Sequence, residues 1–435
     1  MRRIERVREF IFVTSVISIL LFGGCSNNGT DTKAHQDSNS KIYYAPAAIQ
    51  RDEAFIMEDA WGFIDQTGEF VIEPNFSWVS PFGENGLAAV GEKHTRLKGY
   101  INLKGEVVIA PQFFSAEKFN ENGLAVVCDS DSRLCGYINE QGEYVIEPQF
   151  VWTSGFFKQG VAIVKVPYTN LYGVINDKGE YVIQPIYAYI GAFASNGLAN
   201  FYDSQTGLDG YFNEVGEVVI EPSFTASGTF SDSGLAIVRN DQNLFGYIDA
   251  TGEYIIKPEY YHAGDFDDKG YAPVQSVSGT KWGFIDTSGE FVIEPQFAEV
   301  FAFMDIDLAV IKDPNNGRYG FIDREGTIKI EAQFLAVDEL SPNGLICVQD
   351  PQSKKWGYID ETGEYVLQPF ILKNDANEIW TFSENGLLCI SDPITVVDGE
   401  TQYGAIDITG QFVIAPQYQS LGRFEEVNVE FGIMK

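Results

Sequence analysis

Side chains that usually carry catalysis are scarce in this sequence. Its three histidines, His35, His94 and His262, form no i, i+4 pair and have no cysteine spacing beside them that would hold zinc. There is no G-x-S-x-G elbow, phosphate-binding loop or dinucleotide fingerprint, and a serine or cysteine nucleophile would lack a base of the usual kind. Carboxylates are abundant, and composition alone leaves carboxylate-pair catalysis open. The densest runs, Asp129–Asp131 and Asp265–Gly270, lack the alternating ligands and closing glutamate of an EF-hand loop, so solvated hairpins are the expectation there. Ten further residues have a simpler use. Asp65, Asn102, Asn139, Asn176, Asn213, Asp249, Asp286, Asp323, Asp360 and Asp407 each stand three residues before a glycine, the pattern of a tight turn. No catalytic residue, metal site or cofactor is read from the sequence. Cys128 and Cys135 flank one hairpin and would bond if its register brings their Cα atoms within ~4.4–6.8 Å. Cys347 and Cys389 share one repeat position and read as buried small residues.

The fifth cysteine, Cys25, has a different context. Arg2, Arg3, Arg6 and Arg8 form a basic start, and Phe10–Phe22 is a mostly apolar run too short to span a bilayer. It ends in Leu21-Phe22-Gly23-Gly24-Cys25, which resembles a bacterial lipoprotein cleavage box, with Phe22 where leucine is usual. The resemblance implies a signal peptide over 1–24, lipidation of Cys25, and a location on the cell membrane facing outside the cytoplasm. Residues 25–41 are polar and read as a flexible tether. The whole chain has a net charge of −33, and without residues 1–24 it would be −35. That disfavours nucleic acid and anionic lipid as partners of the folded part and suits a cationic partner, bound divalent ions, or solubility beside a charged envelope.

The elements that must position these residues repeat. Trp61–Phe76 (WGFIDQTGEFVIEPNF) returns almost unchanged at Trp282–Phe297. Looser copies centre on Gly99, Gly136, Gly173, Gly210, Gly246, Gly320, Gly357 and Gly404, with steps of 37 residues seven times, 36 once and 47 at the last. A fixed period of this size marks a propeller, solenoid or array. Each copy reads as two short strands around the Asp/Asn-x-x-Gly turn, with a proline ending the second in all but copy eight, which has Ala332 there. An aromatic and a Gly-Leu-Ala-x-Val strand follow, giving a three-stranded meander, or four if Phe76–Phe82 also pairs. Apolar residues alternate to both faces (Phe70 and Ile72 against Val71), so both faces should be covered. Gly62 and its equivalents should admit a close neighbouring backbone or ring. Ala54–Met57 is the expected opening strand, and Val427–Met434 an eleventh strand that caps the series or closes it on the first copy. Copy nine carries two insertions, around Lys373–Glu378 and Asp392–Glu400, which read as loops.

The combined pattern, Gly-Leu-Ala-x-Val, then Trp-Gly-Tyr/Phe-Ile-Asp-x-x-Gly, then Val-Ile-x-Pro-x-Phe/Tyr, resembles the WG-repeat family over about residues 54–424. The resemblance implies an all-β repeat domain, found often in bacterial exported proteins, and brings no catalytic residues. Tryptophan fills its slot only at Trp61, Trp282 and Trp356; the slot elsewhere holds Lys98, Cys135, Tyr172, Asp209, Phe245, Tyr319 and Tyr403. Phe76, Phe113, Phe150, Tyr187, Phe224, Tyr260, Phe297, Phe334 and Tyr418 recur at one position, as a core layer does. The expected fold is all-β: about ten tandem ~37-residue β-meander repeats over 42–435 in a propeller-like ring, with an open superhelical β-repeat array as the alternative. The expected function is a lipid-anchored extracytoplasmic scaffold that binds protein partners without catalysis, with cell-wall or other polysaccharide as the alternative ligand. Trp61, Trp282 and Trp356 are the candidate contacts: accessible rings would favour sugar, buried ones a protein scaffold.

Overall fold

The computed structural model describes residues 41–53, 56–277, 279–371, 381–397 and 400–427. Among them every regular element is a strand, and all strand pairs are antiparallel. The described residues fall into two compact units, 41–74 with 334–427 and 75–333.

Repeat two shows how the local sequence builds the frame. Lys98–Asn102 pairs with Val107–Ala116 around the turn at Asn102–Gly105. Gly105 N–H donates to Asn102 O at 2.9 Å, and Asn102 N–H to Glu106 O at 3.0 Å, which requires the positive φ of 78° at Gly105. All ten turn glycines have φ between 77° and 88°. Proline does not end the second strand as the sequence suggested. Pro111 lies inside it, where Lys98 faces Phe113 and Tyr100 faces Ile109, so the second strand carries extra residues. The missing N–H is tolerated because the proline sits in that bulge.

Gly99 lies opposite the same bulge. A Cβ there would stand 2.7 Å from Pro111 N and 2.9 Å from Ala110 C. The other slot glycines meet the equivalent backbone atoms, so close backbone approach is the reason for this glycine column.

Beyond the recurring aromatic, a two-residue strand such as Trp78–Val79 or Trp152–Thr153 pairs with the next third strand, Leu87–Gly91 or Val161–Lys165. The meander is therefore four-stranded, the strand count of a propeller blade. The residue between aromatic and short strand also bonds to that third strand: Val151 N–H donates to Lys165 O at 2.9 Å.

The core forms between neighbouring repeats. Tyr100, Tyr137, Tyr211 and Tyr247 are fully buried, and each hydroxyl donates to a backbone carbonyl (Glu117, Ser154, Gly228 and Gly264) at 2.6–2.7 Å. Burial without an unpaired hydroxyl is what makes tyrosine tolerable there. The recurring aromatic column is core as expected, with Phe113, Phe150, Phe224, Tyr260, Phe297, Phe334 and Tyr418 buried and Phe76 and Tyr187 half-buried. Its rings meet the next repeat edge-on: Phe113 with Tyr144 at 6.1 Å and Phe224 with Tyr254 at 6.1 Å.

The first repeat meets the last by the same contacts. Phe70 lies edge-on to Tyr418 at 5.7 Å, and the Tyr418 hydroxyl donates to Gly68 O. The opening strand is Ile42–Glu53 rather than Ala54–Met57. It pairs with Ile56–Asp65 on one side and with Ser420–Leu421 and Glu425–Val427 on the other. It thus supplies the third strand that repeat ten lacks. Its Ile-Tyr-Tyr-Ala-Pro-Ala-Ala sequence hid it from the Gly-Leu-Ala-x-Val pattern. The closing strand, expected over Val427–Met434, is Glu425–Val427, and residues 428–435 lie outside the described residues.

Two further expectations change. Asp392–Glu400 does not simply loop out: Leu388–Val397 and Glu400–Ile406 form a lengthened hairpin, favoured by the β-branched run Ile394–Val397. Lys373–Glu378 lies outside the described residues. The second face of most long strands is also not covered. Val71, Val108, Val145, Val219, Ile255, Val292, Val366 and Val413 are 37–47% exposed, forming a ladder of aliphatic side chains at one repeat position, broken at Val182, which packs against the core, and at Lys329.

Candidate functional site

The tryptophan slot sits on one face of each sheet, in a cross-strand row fixed by register. In repeat three the row is Trp152, Lys165 and Tyr172, each directly opposite the next. In later repeats it is Ala226, Arg239 and Phe245, and then Glu299, Lys312 and Tyr319. Directly opposed residues share a face, so the row can pair side chains. Lys165 Nζ lies 5.0 Å from the Tyr172 centroid, the Arg239 guanidinium 5.9 Å from Phe245, and Lys312 Nζ 4.9 Å from Tyr319. In repeat two lysine takes the slot itself, and Lys98 Nζ lies 4.6 Å from the Trp78 centroid. Cys128 and Cys135 occupy the same pair of positions and are disulfide-bonded, with Cα atoms 3.9 Å apart, nearer than the ~4.4–6.8 Å usual for such a bond. At Lys98, Cys135, Tyr172, Phe245 and Tyr319 the slot is a cross-strand clasp, satisfied by a cation over a ring or by a covalent bond, whereas Trp61, Trp282 and Trp356 lie opposite Ala48, Gln275 and Gln349.

The three candidate tryptophans are neither free nor buried; Trp61, Trp282 and Trp356 are all half-exposed. Trp282 packs on the core cluster around Phe284 and Phe297 and stacks on His262 at 5.9 Å with an 18° interplanar angle. Trp356 packs against the cluster around Tyr358 and Phe382. Each tryptophan belongs to its own repeat, Trp61 and Trp356 in one unit and Trp282 in the other. Cys25 lies outside the described residues.

The carboxylates are largely occupied. Asp65 Oδ1 accepts from Thr67 N at 2.8 Å, Thr67 Oγ1 at 2.6 Å and Glu69 N at 3.2 Å. Asn102 Oδ1 accepts the equivalent amides, and its Nδ2 donates to Glu106 Oε2 at 2.8 Å. Aspartate therefore pairs with a hydroxyl two residues on, except Asp323, which meets Lys329 Nζ at 3.0 Å, and asparagine pairs with a glutamate four on. In the Asp129–Asp131 run, Asp129 Oδ1 accepts from Ser132 N at 2.8 Å. In Asp265–Gly270, Asp267 Oδ1 accepts from Tyr271 N at 2.9 Å and Oδ2 meets Arg324 Nη1 at 2.7 Å. Arg324 also donates through Nε to Asp307 at 2.7 Å, with its guanidinium 4.5 Å from the Phe303 ring centroid. Both runs are turns tied to their own repeats or neighbours. Among the described residues no three His, Cys, Asp or Glu side chains are grouped as a metal would require. Cys347 is buried as expected and Cys389 half-buried; burial pushes the Cys389 thiol up to about 12, far from a reactive thiolate.

Aromatics that the sequence reading passed over are better exposed. Trp152 and Tyr189 are 47% and 49% accessible, against a largely covered recurring column two residues earlier. The available signal was their departure from the small or polar residues that most repeats hold there, such as Ser115, Ala226 and Ala336. Asp209 departs similarly, placing a carboxylate in the aromatic slot. Burial raises its pKa, opposed by the Ser227 hydroxyl, which donates to Oδ2 at 3.0 Å.

Several solved structures share a loose likeness. A eukaryotic initiation factor is 10% identical with a TM-score of 0.49, over 89% of this chain and 98% of that one. BamB from Moraxella catarrhalis is 12% identical with a TM-score of 0.29, over 77% and 91%. Hsv2 from Kluyveromyces lactis is 10% identical with a TM-score of 0.34, over 64% and 99%. No curated protein matches the sequence. The WG containing repeat matches ten segments, residues 61–92, 99–131, 136–166, 172–201, 210–243, 245–276, 282–316, 319–350, 356–390 and 403–428, and the chain belongs to that family.

Proposed function

We propose that this chain is a lipid-anchored extracytoplasmic scaffold that binds a protein with a basic surface and performs no catalysis. The observation that carries the reading is the aliphatic ladder. Within residues 75–333, Val108, Val145, Val219, Ile255 and Val292 recur on the solvent face of the long strands, interrupted at the half-buried Val182. Exposed Glu147, Glu221 and Glu294 stand two residues beyond Val145, Val219 and Val292, on the same face by strand alternation. Aliphatic rows rimmed by carboxylates on a chain of net charge −33 suit a partner with aliphatic and Lys/Arg side chains. The prolines in these strands remove donors that an added strand would need, which favours face contact over edge pairing. The Cys128–Cys135 bond supports an oxidising compartment, and Cys25 supplies the anchor.

The test is co-sedimentation of the purified protein with isolated cell envelopes before and after their proteins are stripped. The part of the binding that the triple change Val145→Asp, Val219→Asp, Val292→Asp abolishes should weaken with salt and vanish on stripping. Ladder-dependent binding that survives stripping would replace the protein partner with polysaccharide. A Cys25→Ala chain found still in the membrane fraction would refute the anchor.

A further inference from the structure

Positions that recur in every repeat are explained by the frame, so a ligand site should lie where neighbouring repeats depart from it together. Repeats three and four do so. Two residues beyond the recurring aromatic, the chain holds Trp78, Ser115, Trp152, Tyr189, Ala226, His262, Glu299 and Ala336 in turn; Trp152 and Tyr189 put two large exposed rings in consecutive repeats.

Register collects further groups around them. Trp152, Lys165 and Tyr172 share one face of their sheet, and Tyr189, Tyr202 and Asp209 share one face of the next. The Trp152 ring lies edge-on to Tyr172, with centroids 6.0 Å apart, and Lys165 caps Tyr172. The strand Tyr172–Asn176 lies against the strand Tyr189–Ile190, so the two rows adjoin. Tyr202 is 37% exposed. The result is one patch of aromatic faces with an ammonium, hydroxyls and a carboxylate at its margin.

We propose that Trp152, Tyr189 and Tyr202 form a platform that binds a neutral oligosaccharide, with Lys165 held beside it over the Tyr172 ring. A pyranose ring presents an apolar C–H face, which suits an exposed aromatic, and a rim of hydroxyls. Lys165 donates to that rim and Asp209 accepts from it. The strongly negative chain disfavours anionic sugars and nucleobases on phosphate backbones. This site is separate from the aliphatic ladder, so its failure leaves the protein-partner reading standing, and the reverse also holds.

The experiment titrates the purified full-length chain with a β-linked glucose hexasaccharide and, separately, a β-linked N-acetylglucosamine hexasaccharide. Saturation-transfer NMR and tryptophan fluorescence report binding. At least one sugar should bind saturably, and the responding arm identifies the source. Trp152→Ala and Tyr189→Ala should each weaken binding about tenfold, while Trp152→Phe retains most of it. Trp78→Ala, whose ring is already capped by Lys98, should leave binding unchanged. No saturable binding of either sugar by the folded chain overturns the proposal. So does unchanged affinity in Trp152→Ala or Tyr189→Ala.

Discussion

Two glycines in the fifth and sixth repeats separate steric from conformational causes. Gly246 is the glycine of the tryptophan slot, and a Cβ on it would lie 2.6 Å from Ile256 O, 2.7 Å from Pro258 N and 2.9 Å from Lys257 C. These are backbone atoms of a paired strand, so no side-chain rotation relieves the clash. Gly234 is the reverse case: nothing lies within 4 Å of an added Cβ, but φ is +82°. For Gly234→Ala the left-handed conformation costs about 1–2 kcal/mol, partly offset by the smaller entropy of the unfolded alanine chain, for a net loss of about 1 kcal/mol. For Gly246→Ala the strands must part by several tenths of an ångström. Overpacking costs about 1–3 kcal/mol, and weakening adjacent ladder bonds adds about 1 kcal/mol, for a loss of roughly 3–4 kcal/mol. Repeat proteins need not unfold in one step, so denaturant midpoints should be read beside hydrogen exchange of the Tyr247 and Val238 amides. Gly246→Ala should expose those amides far more than Gly234→Ala. Equal or smaller damage at Gly246 would refute the close-approach account of the glycine column.

Two other perturbations have worked directions. Burial raises the folded pKa of Asp209 above its unfolded value, so the native state holds more protons between those pKa values and loses stability as pH rises through that window. Asp209→Asn, which can still accept from Ser227, should therefore unfold later than wild type at neutral pH, with the gain disappearing below about pH 4. A thermal melt series across pH reads this out, and a gain that persists in acid would contradict it. Replacing Cys128 and Cys135 together by serine opens a short loop and should cost about 2–3 kcal/mol of stability in the chain-entropy account. Reductant should then shift the melting of wild type but not of the variant.

Much of the frame was legible because it is written ten times. Asp65 with Gly68, Gly62 opposite Pro74, and the Phe113 column each repeat with fixed spacing, and each has one local physical cause. What escaped was written once or spread over distance. The pairing of Ile42–Glu53 with Ser420–Leu421 joins segments at opposite ends of the sequence, and neither carries the Gly-Leu-Ala signature. The proline positions misled because a bulge accommodates a missing donor without ending the strand. Apolar alternation suggested two covered faces, yet Val145 and its equivalents remain open to solvent, since β-branched residues suit a strand whether or not a neighbour packs on them. The candidate site was the least legible part. Trp61, Trp282 and Trp356 drew notice as tryptophans, but all three rings are half-buried. Trp152 and Tyr189 differ only by breaking a pattern whose exposure no single sequence reveals.

The most direct test of the scaffold account is site-specific photo-crosslinking in intact cells. A photoreactive residue would replace Val145, Val219 or Val292 in turn, with the exposed hairpin residue Gln242 as control. The account predicts the same protease-sensitive adduct from all three ladder positions, lost when the three carboxylates Glu147, Glu221 and Glu294 are changed to lysine, and none from Gln242. Ladder positions that give no adduct, or one no different from Gln242, would contradict the claim that this face holds a protein partner.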